Sequence, residues 1–230
     1  LRVGVLNLTM FRPFPGDLVS QVLKGKKGVA VLERTEQALA EDLPLMREIR
    51  SALGKAWDNY PNADKVYPYP GYATFTQADD MPRLYSGVYG LGSRDMQPEA
   101  MIAAIENMIP GGGHHRFFYL SIDFVHEQTQ TPKQEIYQQE LLSSYPQLKT
   151  LALRGSENPN LMPKGSVTVR MHSVGGWGAI TTGKNRAMTL FDLLGYDIKA
   201  NPKYGSEKKG QPTTYYLSAA PEPIRVMCEY

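Results

Sequence analysis

Cysteine is nearly absent: Cys228 is the single one in 230 residues, and histidine (four) and tryptophan (two) are scarce. Cysteine-ligated iron–sulfur clusters need about four thiolates each, so this chain cannot hold one alone. A lone thiol also excludes an internal disulfide and is compatible with a reducing cytoplasm. In its strand-like run, Cys228 is expected to be a buried structural thiol. Charge of one sign is lacking too. The 25 Lys and Arg against 23 Asp and Glu leave a net +2, too little for nucleic-acid binding through bulk electrostatics. No apolar run approaches the ~20 residues that would span a bilayer. There is no HExxH, no Ser/His/Asp order and no carboxylate pair at a recognisable spacing, so no catalytic residue and no metal ligand is assigned. His114-His115, after three glycines, lack a third ligand in the pattern and read as a solvated loop. Nor is there an internal repeat.

What is present reads as α/β. Hydrophobic residues at 42% with 21% charged residues are ordinary for a globular chain of one large or two small domains. Leu1 to Met10 reads as a buried strand with no leader before it, and 224–230 as another with no cap after it, as in a piece of a longer protein. Strand Val3 to Thr9, helix Asp17 to Leu23 and strand Gly28 to Leu32 would form one βαβ unit. Helix Leu43 to Trp57 places Leu45, Ile49, Leu53 and Ala56 on one face. Strand Leu84 to Val88 and helix Pro98 to Met108 follow, Pro98 suiting a first helical position. Gly111-Gly112-Gly113 is expected to be a flexible turn before strand Phe117 to Ile122. Gln134 to Ser144 can form a polar helix, and Pro146 to Pro163 reads as connection.

The richest stretch runs Ser173-Val174-Gly175-Gly176-Trp177-Gly178-Ala179-Ile180-Thr181-Thr182-Gly183-Lys184. It follows a strand-like run, Ser166 to Met171, and opens a helix-like run, Asn185 to Leu194. Backbone N–H groups of such a turn can close around an anion at a helix N-terminus. Lys184 and the pair Lys208-Lys209, within Tyr204 to Gly210, offer point charges for the same phosphorylated ligand. A tight connection with no ligand would need the same glycines, because glycine first of all supplies φ > 0. Strand, glycine loop, helix, strand Asp197 to Asn201, lysine turn and strand Thr213 to Ser218 describe a second βαβ unit. The fold expected is two open, mainly parallel sheets flanked by helices, with ligands at the carboxyl ends of strands. Arg12 and Arg34 each follow a predicted strand, near one sheet edge where an anion could sit; for Arg34 a surface ion pair with Glu33, Glu36 or Glu41 is the expectation.

These residues resemble a family. The glycine loop is similar to the G-L-G-S-D-G-T-V-G-A-N-K of the gamma-type domain of the 2-oxoacid:ferredoxin/flavodoxin oxidoreductases. The lysine turn is similar to that family's Y-D-S-K-K-S-G. Gly175, Gly178, Lys184, Tyr204, Ser206, Lys208 and Gly210 coincide, while Trp177 replaces an acid, Ala179 a threonine and Thr181 a glycine. Upstream, Arg12-Pro13-Phe14 and Glu33-Arg34-Thr35 resemble that family's second domain, and 90–98 resembles its G-L-S-S-K-E-F-T-P turn. Phe117 to Thr131, with His126 and Thr129, is similar to the connector that carries D-V-T-H-T.

The resemblance implies a transketolase C-terminal-like domain over 1–130, a connector over 131–165 and the first part of a gamma-type domain over 166–230. It also implies oxidative decarboxylation of a 2-oxoacid such as pyruvate, with coenzyme A as acyl acceptor and electrons passed to ferredoxin or flavodoxin. Thiamine diphosphate, Mg and iron–sulfur clusters would lie in other domains or subunits of a cytoplasmic, dimeric parent, because the thiamine motif does not occur here. This chain would contact coenzyme A through Gly175, Gly176, Gly178, Thr181, Thr182, Lys184, Lys208 and Lys209, and alone would be inactive. A non-catalytic nucleotide-binding module and a structural interaction domain remain open as alternatives. Neither nucleic acid nor membrane is an expected partner.

Overall fold

The computed structural model describes residues 1–60, 67–91, 95–125, 131–204 and 210–226. The chain divides into two units, Leu1–Glu157 and Asn158–Tyr230. In the first, strands β1 (Gly28–Glu33), β2 (Arg83–Val88), β3 (Phe117–Leu120) and β4 (Ala152–Leu153) form a parallel sheet in that order. Successive side chains of a strand face opposite ways, and both faces of this sheet are covered. Val31, Leu84 and Val88 point to helices α1 (Gly16–Leu23) and α2 (Pro44–Asp58), meeting Val19, Met46, Ile49 and Leu53. Tyr85, Phe118 and Leu120 point the other way, onto Ala100, Ala103 and Ala104 of α3 (Pro98–Met108). Gly87 lies on that second face, where a Cβ would come within 2.6 Å of both Leu32 and Phe118.

Several devices hold these layers in register. Pro44 and Pro98 start their helices at a position that needs no intrahelical donor. Buried Glu33 accepts hydrogen bonds from Leu45 N–H (2.6 Å) and Met46 N–H (3.1 Å), capping α2 from the end of β1. Asn59 is fully buried at the end of α2; its side chain donates to the Tyr69 and Ala73 carbonyls and accepts from Tyr69 N–H. Through these bonds a loop without regular structure is tied to the core. The turn containing Gly111–Gly113 is likewise tied at its far end. The Asn107 side chain donates to the His115 carbonyl (2.9 Å) and accepts from His115 N–H (2.8 Å), while His114 N–H reaches the Asn107 carbonyl.

Two expectations for this unit are corrected. Leu1–Met10 is not a buried strand: it pairs with nothing among the described residues, and Val3 and Val5 are 58% and 83% exposed. Apolar alternation provides a face, but a strand also needs a ladder for its N–H and C=O groups, and of these residues Leu8 is the one packed on the core. Residues 148–153, read as connection, form a short helix α5 (Leu148–Leu151) and then β4, which pairs with β3. Residues 131–157 thus lie within the first unit, where α4 (Pro132–Ser144) also forms, capped by Thr131 accepting from Gln134 N–H.

The second unit holds β5 (Val167–Val174), α6 (Ala179–Leu194), β6 (Asp197–Tyr204) and β7 (Pro212–Ala220). Helices flank open sheets in both units, as an α/β chain requires, but the strand directions of this one differ from expectation. β7 pairs antiparallel with both β5 and β6, in the order β5-β7-β6. β5 and β6 are therefore parallel to each other, as a βαβ crossover demands, with the later strand inserted between them. Ile180, Gly183, Ala187 and Leu190 of α6 cover one face of this sheet over Tyr215 and Leu217.

A glycine turn as candidate functional site

The turn between β5 and α6 carries the candidate residues. Gly176 (φ 95°) and Gly178 (φ 85°) both occupy the left-handed region. At Gly178 a Cβ would meet nothing within 4 Å, so glycine is required there by the backbone angle and not by crowding. Gly178 caps α6, which begins at Ala179, six residues before the expected Asn185. Poor helix formers around Thr181 to Gly183 hid this first turn from a propensity reading, but packing on Tyr215 overrides them. A Cβ at Gly183 would lie 2.3 Å from the Tyr215 ring, so the missing side chain is what lets α6 approach the sheet.

The shifted start changes the roles of the predicted residues. Thr181 and Thr182 sit in the first turn and Lys184 in the second, all three exposed. Thr182 N–H donates to the Gly178 carbonyl at 2.9 Å. The first-turn donors for which a helix offers no acceptor are therefore the N–H groups of Ala179, Ile180 and Thr181. The Gly175 amide is engaged as well: it donates to the Gln211 carbonyl at 2.7 Å and its carbonyl accepts from Gly210 N–H at 3.4 Å. These two bonds join the glycine turn to the returning flank of the lysine turn, whose other flank is the β6–β7 pairing of Tyr204 with Thr213. Lys208 and Lys209 themselves lie outside the described residues, as do His126, Thr129 and Cys228. Trp177, which stands where the family has an acid, is 80% exposed at the tip of the turn.

Other candidates have structural partners. Arg12 pairs with Glu48 of α2 at 2.7 Å. Arg34 donates to the Gly90 carbonyl at 3.4 Å, while Glu33 caps α2 and Glu36 accepts from the Tyr119 hydroxyl at 2.7 Å. Burial and the adjacent Glu36 carboxylate push the Tyr119 phenol well above its ordinary range. Among the described residues no three His, Cys, Asp or Glu side chains gather as a metal site, and no helix is long and apolar enough to cross a membrane.

Two family models match the chain. That of pyruvate ferredoxin/flavodoxin oxidoreductase covers residues 168–230, and that of pyruvate:ferredoxin oxidoreductase core domain II covers residues 1–71. A probable pyruvate-flavodoxin oxidoreductase of Escherichia coli K12 is 24% identical over 97% of this chain. The pyruvate-flavodoxin oxidoreductase of Nostoc sp. PCC 7120 is likewise 24% identical over 97%. Pyruvate synthase subunit PorA of Thermotoga maritima is 37% identical over 48% of it. The chain spans 16% of the length of the first two relatives and 22% of the third.

Proposed function

We propose, for a chain that belongs to the pyruvate:ferredoxin/flavodoxin oxidoreductase-like family, that it serves oxidative decarboxylation of a 2-oxoacid, pyruvate first, by holding coenzyme A. One observation carries the reading. The two backbone bonds of Gly175 bring the N-terminus of α6 and the flanks of the segment containing Lys208 and Lys209 to the same end of one sheet. First-turn N–H groups of a helix and mobile ammonium groups are the two kinds of donor a polyphosphate takes. In this reading Ala179 to Thr181 contribute backbone donors at the turn shaped by Gly175, Gly176 and Gly178, and Lys184, Lys208 and Lys209 contribute charge. Thr182 contributes its hydroxyl, because its N–H is already bonded. Coenzyme A would supply the thiol that accepts the acyl group, and this chain would only bind and orient its phosphates. Thiamine diphosphate, Mg and the iron–sulfur clusters belong in this reading to other domains or subunits of a dimeric cytoplasmic parent. One cysteine cannot ligate a cluster, and ferredoxin or flavodoxin would dock where the clusters are.

Calorimetric titration of the chain with coenzyme A, ATP and NAD tests this. Saturable binding with coenzyme A preferred is expected, and Lys208→Ala with Lys209→Ala should raise its Kd about tenfold or more and flatten its salt dependence. Preference for ATP or NAD would favour a nucleotide-binding module, and an unchanged Kd and salt slope would put the phosphate site elsewhere.

A further inference from the structure

The two edges of the second sheet, β5 and β6, are built differently. Between them, alternate residues of β7 give their backbone groups to one neighbour and then the other. Pro212 has no N–H to give Val174, its partner in register, whereas Gly175 N–H does bond to Gln211. The bonds to β7 therefore come from Val169, Met171 and Ser173, opposite Leu217, Tyr215 and Thr213. Thr168, Arg170 and His172 turn their N–H and C=O groups outward, and β5 has no strand beyond it among the described residues. The same alternation places Pro202 of β6 outward, because Asn201 is the residue opposite Tyr216. A proline there removes a donor from that edge and closes it to a further strand. β5 carries neither proline nor lysine in its eight residues, so its edge is open.

We propose that this edge pairs with β5 of a second copy of the chain, antiparallel, about a two-fold axis through Val169. In that register Val169 meets its own copy, Val167 meets Met171, and Thr168 meets Arg170. Thr168 and Arg170 are residues with outward backbone groups, so each such pair exchanges both of its N–H···O=C bonds. The apolar row is complementary to itself. Val167 is 51% exposed and Val169 and Met171 are half-buried, because α6 covers Tyr215 and Leu217 of β7 and leaves this row partly open. An axis through Arg170 would instead oppose two guanidinium groups, and like charges directly opposite destabilise a pair. Neither polar side chain obstructs the edge. The Arg170 guanidinium leans inward, 5.0 Å from the Tyr216 ring centroid, and His172 Nδ1 lies 3.0 Å from Thr214 Oγ1. Such a short ladder is a small interface, so the association is reversible and concentration-dependent.

Sedimentation of the 230-residue chain from about 10 μM to about 1 mM, with amide hydrogen exchange at both ends of that range, tests the proposal. A monomer–dimer equilibrium is expected, with the amides of Thr168 and Arg170 exchanging more slowly as concentration rises. Thr168→Pro, which gives β5 the device that Pro202 gives β6, should raise the dimer Kd about tenfold or more. Should that variant fail to fold, Val167→Lys, at an exposed position of the apolar row, should weaken the dimer in the same direction. A chain that stays monomeric up to about 1 mM, an unchanged dimer in the folded variant, or concentration-dependent protection confined to other segments would each overturn it. Coenzyme A is the separate arm: neither variant touches the glycine turn, so its affinity should persist in both, and the two readings can fail independently.

Discussion

Single residues set the limits within which both units hold together. Asp80 is the clearest, because it is buried to 5% exposure with its carboxylate accepting from Thr76 N–H at 2.8 Å and Lys24 Nζ at 3.5 Å. The Thr76 amide foremost, and Lys24 after it, hold this carboxyl below the ordinary value of 3.8 despite its burial. A carboxylate depressed in the folded state stabilises it above the ordinary value, and that contribution disappears as pH falls through the folded value. Asp80→Asn should therefore lower the urea midpoint near pH 6 and flatten its fall as pH drops below the ordinary carboxylate value. A variant whose midpoint falls as steeply with acid as the parent's would remove Asp80 from that role. Asn59 and Glu33 act on the same scale, and neither was legible in the sequence, since nothing local says that a helix-end Asn will hold a loop ten residues on.

At the scale of elements, legibility followed periodicity and length. Helices α2 and α3 were readable because apolar spacing and an N-terminal proline agree. β4 was not, since two residues cannot display an alternation. For Leu1–Met10 the alternation was present and the ladder was not. The glycine turn was located correctly, yet the start of α6 was not, because Gly183 is a packing glycine that reads in sequence like a loop glycine. That distinction has a test. Gly183→Ala drives a methyl group into the Tyr215 ring, and overpacking of this kind costs about 1–3 kcal/mol. The amides of Gly183 to Leu190 should then exchange faster while those of α2 do not change. Equal protection in both variants would mean that the helix can shift outward at no cost.

On the scale of the whole molecule, the division falls between Glu157 and Asn158, within what composition alone marks as one long connection. Composition reports polarity and turn residues, and these are as common in a segment that adds a short strand to a sheet as in one that joins two units. Limited proteolysis should cut between about residues 158 and 165, where Leu161 is 52% exposed, as well as in the exposed first ten residues. It should spare Gly111–Gly113, which lie between Asn107 and the His114 and His115 backbone groups bonded to it. Early cleavage at those glycines would show that those bonds are not maintained in solution.

The insertion of β7 between β5 and β6 also governs the order in which the second unit can assemble as the chain leaves the ribosome. β5, α6 and β6 emerge first, but β5 and β6 share no ladder with each other, and the strand that bonds to both is the last of the three. Neither therefore finds its ladder partner until β7 begins to emerge, since Thr213, near its start, pairs with Tyr204 of β6 and Ser173 of β5. The pairing of Val167 with Ala219 closes a long loop, a slow event compared with forming a hairpin. The N-terminal end of α6 would thus gain its fixed position late and from the strand farthest along the sequence.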